Sequence, residues 1–238
     1  MDDQTDIIQK NDAQIQSRIN AACVRSKRSR ESVTLIAVTK YARMEWVSAL
    51  IELGATHLGE SRTSQLEERA MLLPDHLHWH FIGPLQRNKV RRTIQHSSLI
   101  HSVDSLKLLT AIDRIAAESG LQPRALVEVN LSGEPNKKGF SRDELLASWN
   151  SVCAVSHVTI AGLMTMAPHA TDPELARPVF RELSQLRDQL QAMSPAQVSL
   201  EELSMGMSGD FEVAIEEGAT LVRIGSALYE GLESEPGN

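Results

Sequence analysis

Cysteine is nearly absent from the 238 residues: Cys23 and Cys153 are far apart, with no companion ligands at zinc spacing. That excludes a disulfide framework and a zinc site, and a reducing cytoplasm is the expected compartment. Long apolar runs are missing too, and mean hydropathy is -0.21, so no transmembrane helix is expected. The opening Met1-Asp2-Asp3-Gln4-Thr5-Asp6 is acidic where a secretory signal would be basic and then apolar. Positive charge is scarce, with a net charge of -7, which argues against a surface that tracks a nucleic-acid backbone. No internal repeat, low-complexity tract or linker is visible.

What remains is an ordinary globular composition, 42% hydrophobic and 23% charged, of a length that suits one α/β barrel. Alternation of apolar runs with helical patterns marks strand candidates at 33–39, 55–59, 78–82, 99–103, 124–130, 158–162, 199–204 and 220–224. Helices are expected at 12–28, 44–53, 61–71, 89–95, 105–118, 142–151, 173–193 and 211–217. Eight strands in regular βα alternation with short connections predict a single parallel (β/α)8 TIM-type barrel, class α/β. The expectation is one domain over 1–238, with a segment to about residue 32 packed on the barrel as a helix and a flexible tail at 233–238.

In such a barrel the chemistry lies at the C-terminal ends of the strands. Lys40, the loop at Gly83, Asn130, Met164, Ser204 and Arg223 all fall there. Lys40 closes the apolar run Leu35-Ile36-Ala37-Val38-Thr39. A lysine at a strand mouth either snorkels over its apolar neighbours or is desolvated enough for its amine to attack a carbonyl. Ser204-Met205-Gly206-Met207-Ser208-Gly209-Asp210 and Gly225-Ser226 follow the seventh and eighth strands. They suit a phosphate, through close backbone approach and serine hydroxyls, and equally suit turn and cap chemistry before a helix at Phe211. Alternation with Val222 and Ile224 points Arg223 inward, where a pyridine nitrogen or a structural ion pair would serve as partner. His76, His78 and His80 invite a metal, but alternation sets them on one face without an acidic ligand, so a hydrogen-bonded His80 near the mouth is expected. Arg25-Ser26-Lys27-Arg28-Ser29-Arg30 reads as a solvated helix end. Arg87, Lys89, Arg91 and Arg92 form a second basic cluster, open to an anion or nucleic-acid reading.

Together the stretches Ala37-Val38-Thr39-Lys40, Gly59-Glu60, His80-Phe81-Ile82-Gly83 with Leu85-Gln86 and Asn88-Lys89, Gly162-Leu163-Met164, Leu203-Ser204-Met205-Gly206-Met207-Ser208 with Asp210, and Val222-Arg223-Ile224-Gly225 resemble the pyridoxal phosphate homeostasis protein family. That family shares its barrel with the N-terminal domain of alanine racemase. The resemblance implies pyridoxal 5'-phosphate held as a Schiff base on Lys40, its phosphate on Ser204, Gly225 and Ser226, and its pyridine nitrogen facing Arg223. It further implies cofactor contacts from Ser61, His80, Asn88, Met164, Gly206 and Met207, with Lys137 as a secondary acceptor of the aldehyde. The family usually carries asparagine where this chain has Ser61, whose hydroxyl is shorter and has one fewer polar group. Alanine racemase takes its second base from a separate β domain, and here only Tyr41 and Tyr229 remain. The implied role is therefore a non-catalytic carrier that holds the cofactor and supplies apo-enzymes in vitamin B6 homeostasis; separately, no exposed heptad or long apolar face demands a dimer, so a monomer is expected. A slow amino-acid racemase is the alternative, and an anion or nucleic-acid binding module a further one.

Overall fold

A computed structural model describes residues 3–132, 138–168 and 170–232. The 233–238 tail expected from the sequence lies outside them. Eight parallel strands close into a barrel in chain order: β1 (Thr34–Val38), β2 (His57–Glu60), β3 (His78–Phe81), β4 (Leu99–Val103), β5 (Arg124–Glu128), β6 (Thr159–Met164), β7 (Glu202–Ser204) and β8 (Leu221–Ile224). β1 pairs with β8, Ile36 lying beside Arg223, and this closes the ring. The helices are α1 (Asp3–Arg25), α2 (Met44–Glu52), α3 (Thr63–Leu72), α4 (Val90–His96), α5 (Leu106–Ser119), α6 (Arg142–Cys153), α7 (Arg177–Met193) and α8 (Phe211–Glu216). The expected fold class holds.

Strand alternation divides the core in two. Ala37, Leu58, Trp79, Phe81, Val127, Leu163, Leu203, Val222 and Ile224 pack outward against the helices. Ile36, Leu99, Leu126, Ala161, Met164 and Leu221 form a separate cluster on the inward faces. The period of two breaks twice, with register shifts between Ile100 and Val103 on β4 and between Ala125 and Leu126 where β5 meets β6. At the second, Gly162 lies so close to β7 that an added Cβ would fall 1.9 Å from the Glu202 carbonyl oxygen.

Several expectations need correction. α1 begins at Asp3 rather than residue 12, because Ile8 extends the buried stripe of Ile15 and Ile19 by two turns and Asp3 and Asp6 suit the helix N-terminus. Val24, apolar like Ile15 and Ile19 but off their face, is 77% exposed. The helix expected at 173–193 splits into a 3-10 turn at Pro173–Ala176 and α7; Pro178 lacks an N–H and settles in the first turn of α7. The seventh strand shortens to Glu202–Ser204, since the Leu200 N–H is taken by Gln191 Oε1 at 2.7 Å.

The basic cluster closes α1 as expected, with Arg25 in its last turn and Arg25 and Lys27 exposed, but its arginines are also paired. Arg25 pairs with Glu212 and Glu216. Arg28 donates to the Ile215 and Ala219 carbonyls at 2.8 and 2.7 Å, and Arg30 to Gln16 at 2.7 Å. The bonds of Arg25 and Arg28 tie the end of α1 to α8 and satisfy carbonyls at the C-terminal end of α8, while Arg30 folds back onto α1. In the second cluster Arg91 bonds Glu118 and Ser119, and Arg92 bonds Glu67.

Candidate functional site

The turn after β1 carries Lys40. The Ala42 N–H donates to the Thr39 carbonyl at 2.8 Å and the Thr39 N–H to Gly59 across to β2 at 2.9 Å. Beneath it Glu60, fully buried, accepts from the Thr39 hydroxyl and from Arg69 of α3. Arg69 also donates to the Thr39 and Ala42 carbonyls at 2.7 and 2.6 Å. One guanidinium thus holds both ends of the lysine turn, while a buried carboxylate neutralises it. Burial pushes the Glu60 carboxyl up even against the attraction of Arg69. Lys40 is half-buried, its Nζ 5.0 Å from the Tyr41 ring centroid. Nearby, Tyr229 stacks on Trp46 at 5.5 Å. Its hydroxyl is buried with no hydrogen-bond partner among the described residues, and burial holds its phenol above the ordinary value.

The second part of the site comes from β7 and β8. Val222 and Ile224 pack outward, and Arg223 lies inside, 5% exposed. It donates to Ser204 Oγ and to the Thr165 carbonyl, the latter at 3.0 Å. Burial draws its guanidinium down to about 10. Gly206, at φ 91°, lets the chain turn where a Cβ would fall 2.6 Å from Ala214 Cβ, and its carbonyl accepts from the Arg223 N–H at 3.0 Å. The N–H groups of Gly225 and Ala227 converge on Ser208 Oγ, each at a long 3.3 Å. Gly225 approaches β1 so closely that a Cβ would meet Val38 Cβ at 3.3 Å, so these loops share the barrel mouth with the lysine turn. Convergent N–H groups, serine hydroxyls and a turn that needs glycine suit a phosphate monoester; a lysine amine across the same mouth suits an aldehyde.

Inside the barrel a row of rings continues from Ser204. Its Oγ lies 2.8 Å from His101 Nδ1. His101 Nε2 lies 2.9 Å from His80 Nδ1, and His80 Nε2 lies 2.9 Å from His57 Nδ1. Burial lowers the imidazole of His80 to about 3 and that of His101 well below its ordinary value, and it lowers His57 as well. Glu128 at the end of β5 has the opposite bias: burial, and then Asp104, raise its carboxyl to about 7 against Arg223 and Lys138.

Of the residues expected in the site, Lys40, Ser204, Gly206, Arg223 and Gly225 gather at the mouth, with Ser61 half-buried at the end of β2, Met207 exposed on the loop after β7 and Ser226 exposed at the start of the 3-10 turn Ser226–Tyr229. Met164 is buried in the inner cluster. Asn88 is exposed on the 3-10 turn Arg87–Lys89. His80 is hydrogen-bonded as expected, but it lies a layer below the mouth, between His101 and His57. His76 precedes β3, so three histidines do not line one strand face. Lys137 lies outside the described residues. Sequence reading missed Arg69, His101, His57 and Glu128. For His101 and Glu128 the signal was a polar residue inside an apolar strand, whereas Arg69 on a polar helix gave none.

The family described as alanine racemase, N-terminal domain, matches residues 14–233. A protein of Aquifex aeolicus named pyridoxal phosphate homeostasis protein is 39% identical over 218 residues, 91% of this chain and 95% of the relative. The solved structure of PipY from Synechococcus elongatus with PLP bound is 36% identical with a TM-score of 0.78, covering 90% of this chain and 99% of that one. An alanine racemase of Clostridium difficile shares the fold at 18% identity and a TM-score of 0.73, over 97% of this chain and 58% of its own.

Proposed function

The chain belongs to the pyridoxal phosphate homeostasis proteins, built on the alanine racemase N-terminal domain, and on that premise we propose that it holds pyridoxal 5'-phosphate at the barrel mouth for intracellular vitamin B6 homeostasis and cofactor supply. The observation that carries this reading is the meeting of the braced Lys40 turn with the Ser204, Ser208 and Gly225 cradle across the β1–β8 seam. When bound, the cofactor supplies an aldehyde that condenses with a primary amine and releases water. Lys40 is the amine we assign to it. Ser204, Gly225 and Ser226 are assigned to the phosphate, with Gly206 shaping the loop, and Arg223 to the pyridine nitrogen. The guanidinium donates and does not accept, so it leaves that nitrogen unprotonated, which favours holding over turnover of amino acids.

Purified protein given pyridoxal 5'-phosphate and reduced with borohydride is expected to carry the adduct on Lys40 by mass mapping. Lys40→Ala should lose both that adduct and the accompanying absorbance band, and an unchanged band with no other lysine modified would remove the assignment. Deuterium exchange at the α-carbon of added amino acids is expected to stay at the level of a protein-free cofactor control. We further propose a monomeric protein that yields the cofactor to apo-enzymes, in the cytoplasm, a compartment its free cysteines support. Among the described residues no helix is long and apolar enough to cross a membrane.

A further inference from the structure

The hydrogen-bond direction of the buried histidine row is fixed by one residue. Arg223 is a donor only, and it donates to Ser204 Oγ. Among the contacts the described residues make, the hydroxyl proton of Ser204 then has one acceptor, His101 Nδ1 at 2.8 Å. A neutral imidazole that accepts on Nδ1 carries its proton on Nε2. His101 Nε2–H therefore donates to His80 Nδ1, and His80 Nε2–H to His57 Nδ1. His57 is left with its Nε2–H at the end of the row, and the residue lines a cleft of about 200 Å³ bounded by Asp12, Gln16, Arg30 and Thr34 at the opposite end of the barrel from Lys40.

We propose that Ser204, His101, His80 and His57 form a tautomer relay, in which a phosphate monoester seated on Ser204 reverses every hydrogen bond in the row and passes one proton from the mouth to the N-terminal face. This rests on the phosphate-binding role proposed for Ser204. A phosphate oxygen that only accepts draws the Ser204 O–H toward the mouth, and the hydroxyl must then accept from His101 Nδ1–H. The transfer balances. A proton taken from a monoprotonated phosphate or a water at the mouth binds Ser204 Oγ, whose former proton moves to His101 Nδ1. His101 gives its Nε2 proton to His80 Nδ1, His80 gives its Nε2 proton to His57 Nδ1, and His57 releases its Nε2 proton to water. Each ring stays neutral throughout. The surroundings disfavour an imidazolium: His57 faces His78, stacked at 4.7 Å, and more distantly Glu202. His80 faces His78 and Arg124, and His101 faces Arg223. Glu202, the one carboxylate in this set, bonds Arg124 and the Thr220 hydroxyl.

The test is nitrogen NMR of protein labelled with 15N-histidine, free, with inorganic phosphate and with pyridoxal 5'-phosphate. The free protein should show Nε2–H tautomers at His57, His80 and His101, and either ligand should invert the tautomer ratio at all three. Nδ1–H tautomers or imidazolium in the free protein, or rings that neither ligand inverts, would overturn the relay. If no adduct forms on Lys40 yet inorganic phosphate inverts the row, the relay stands and the cofactor reading fails. In His80→Phe the ligand should still invert His101 but no longer His57; a response of His57 in that variant would overturn transmission through the row. Should that variant not fold, the unmodified protein decides.

Discussion

At the scale of single residues, buried charge is the strongest constraint on the site. Arg69 neutralises Glu60 and carries the two carbonyls of the lysine turn. Arg69→Leu should cost about 3–5 kcal/mol in urea denaturation, because it leaves a carboxylate buried and alone; a loss below about 1 kcal/mol would show that the pair does not brace the turn. Glu128 carries the reverse imbalance. With its folded pKa raised to about 7, its protonated form stabilises the fold below the unfolded value, and that contribution is lost as pH rises through 7. Glu128→Gln should therefore stabilise by about 1–3 kcal/mol at pH 8 and have little effect near pH 4.5, as read from melting at each pH. A gain of equal size at both would contradict the assignment. Arg223 was legible in the sequence because Val222 and Ile224 declare the outward face of β8. Arg69 was not, because an arginine on a polar helix looks the same whether it meets solvent or reaches a carboxylate that another strand supplies.

At the scale of elements, period-two and period-3.6 patterning was enough to place all eight strands and their helices, since burial on two faces leaves unmistakable apolar runs. The breaks in period were not legible. One extra residue in a strand changes which side chains point inward without changing composition, so the outward turn of Val103, which plain alternation from Leu99 would set inward, emerges only from the irregular pairing between Ile100 and Val103. Gly162 makes the point sharply. Gly162→Ala would drive a methyl group into the Glu202 carbonyl, and a loss on the order of 4 kcal/mol or more, or insoluble expression, is expected; normal cooperative melting would mean that β6 and β7 can part there. The 3-10 turn before α7 and the short β7 were likewise hidden, because side chains from neighbouring elements decide where those backbones find partners.

At the scale of the whole molecule, three neutral histidines in a closed barrel set its response to acid. Their folded pKa values lie below the unfolded value, so the unfolded chain binds more protons. Their contribution is complete above about pH 6.5 and is lost as pH falls toward the folded values, about 3 for His80. Glu128 opposes this between pH 7 and its unfolded pKa, yet it is one group against three. The melting temperature should fall from pH 6.5 to 5, and more steeply in Glu128→Gln; a flat or rising profile would show that water reaches the rings. The seam between β1 and β8 bears on how the protein is made. Lys40 is synthesised early, but Ser204, Arg223 and Gly225, which share the barrel mouth with its turn, come from β7, β8 and the loop that follows. A nascent chain therefore exposes its lysine long before any cradle exists to orient an aldehyde toward it. On the role proposed for Lys40, stable capture would mark ring closure, and a chain that stops before β8 is expected to leave the aldehyde uncaptured.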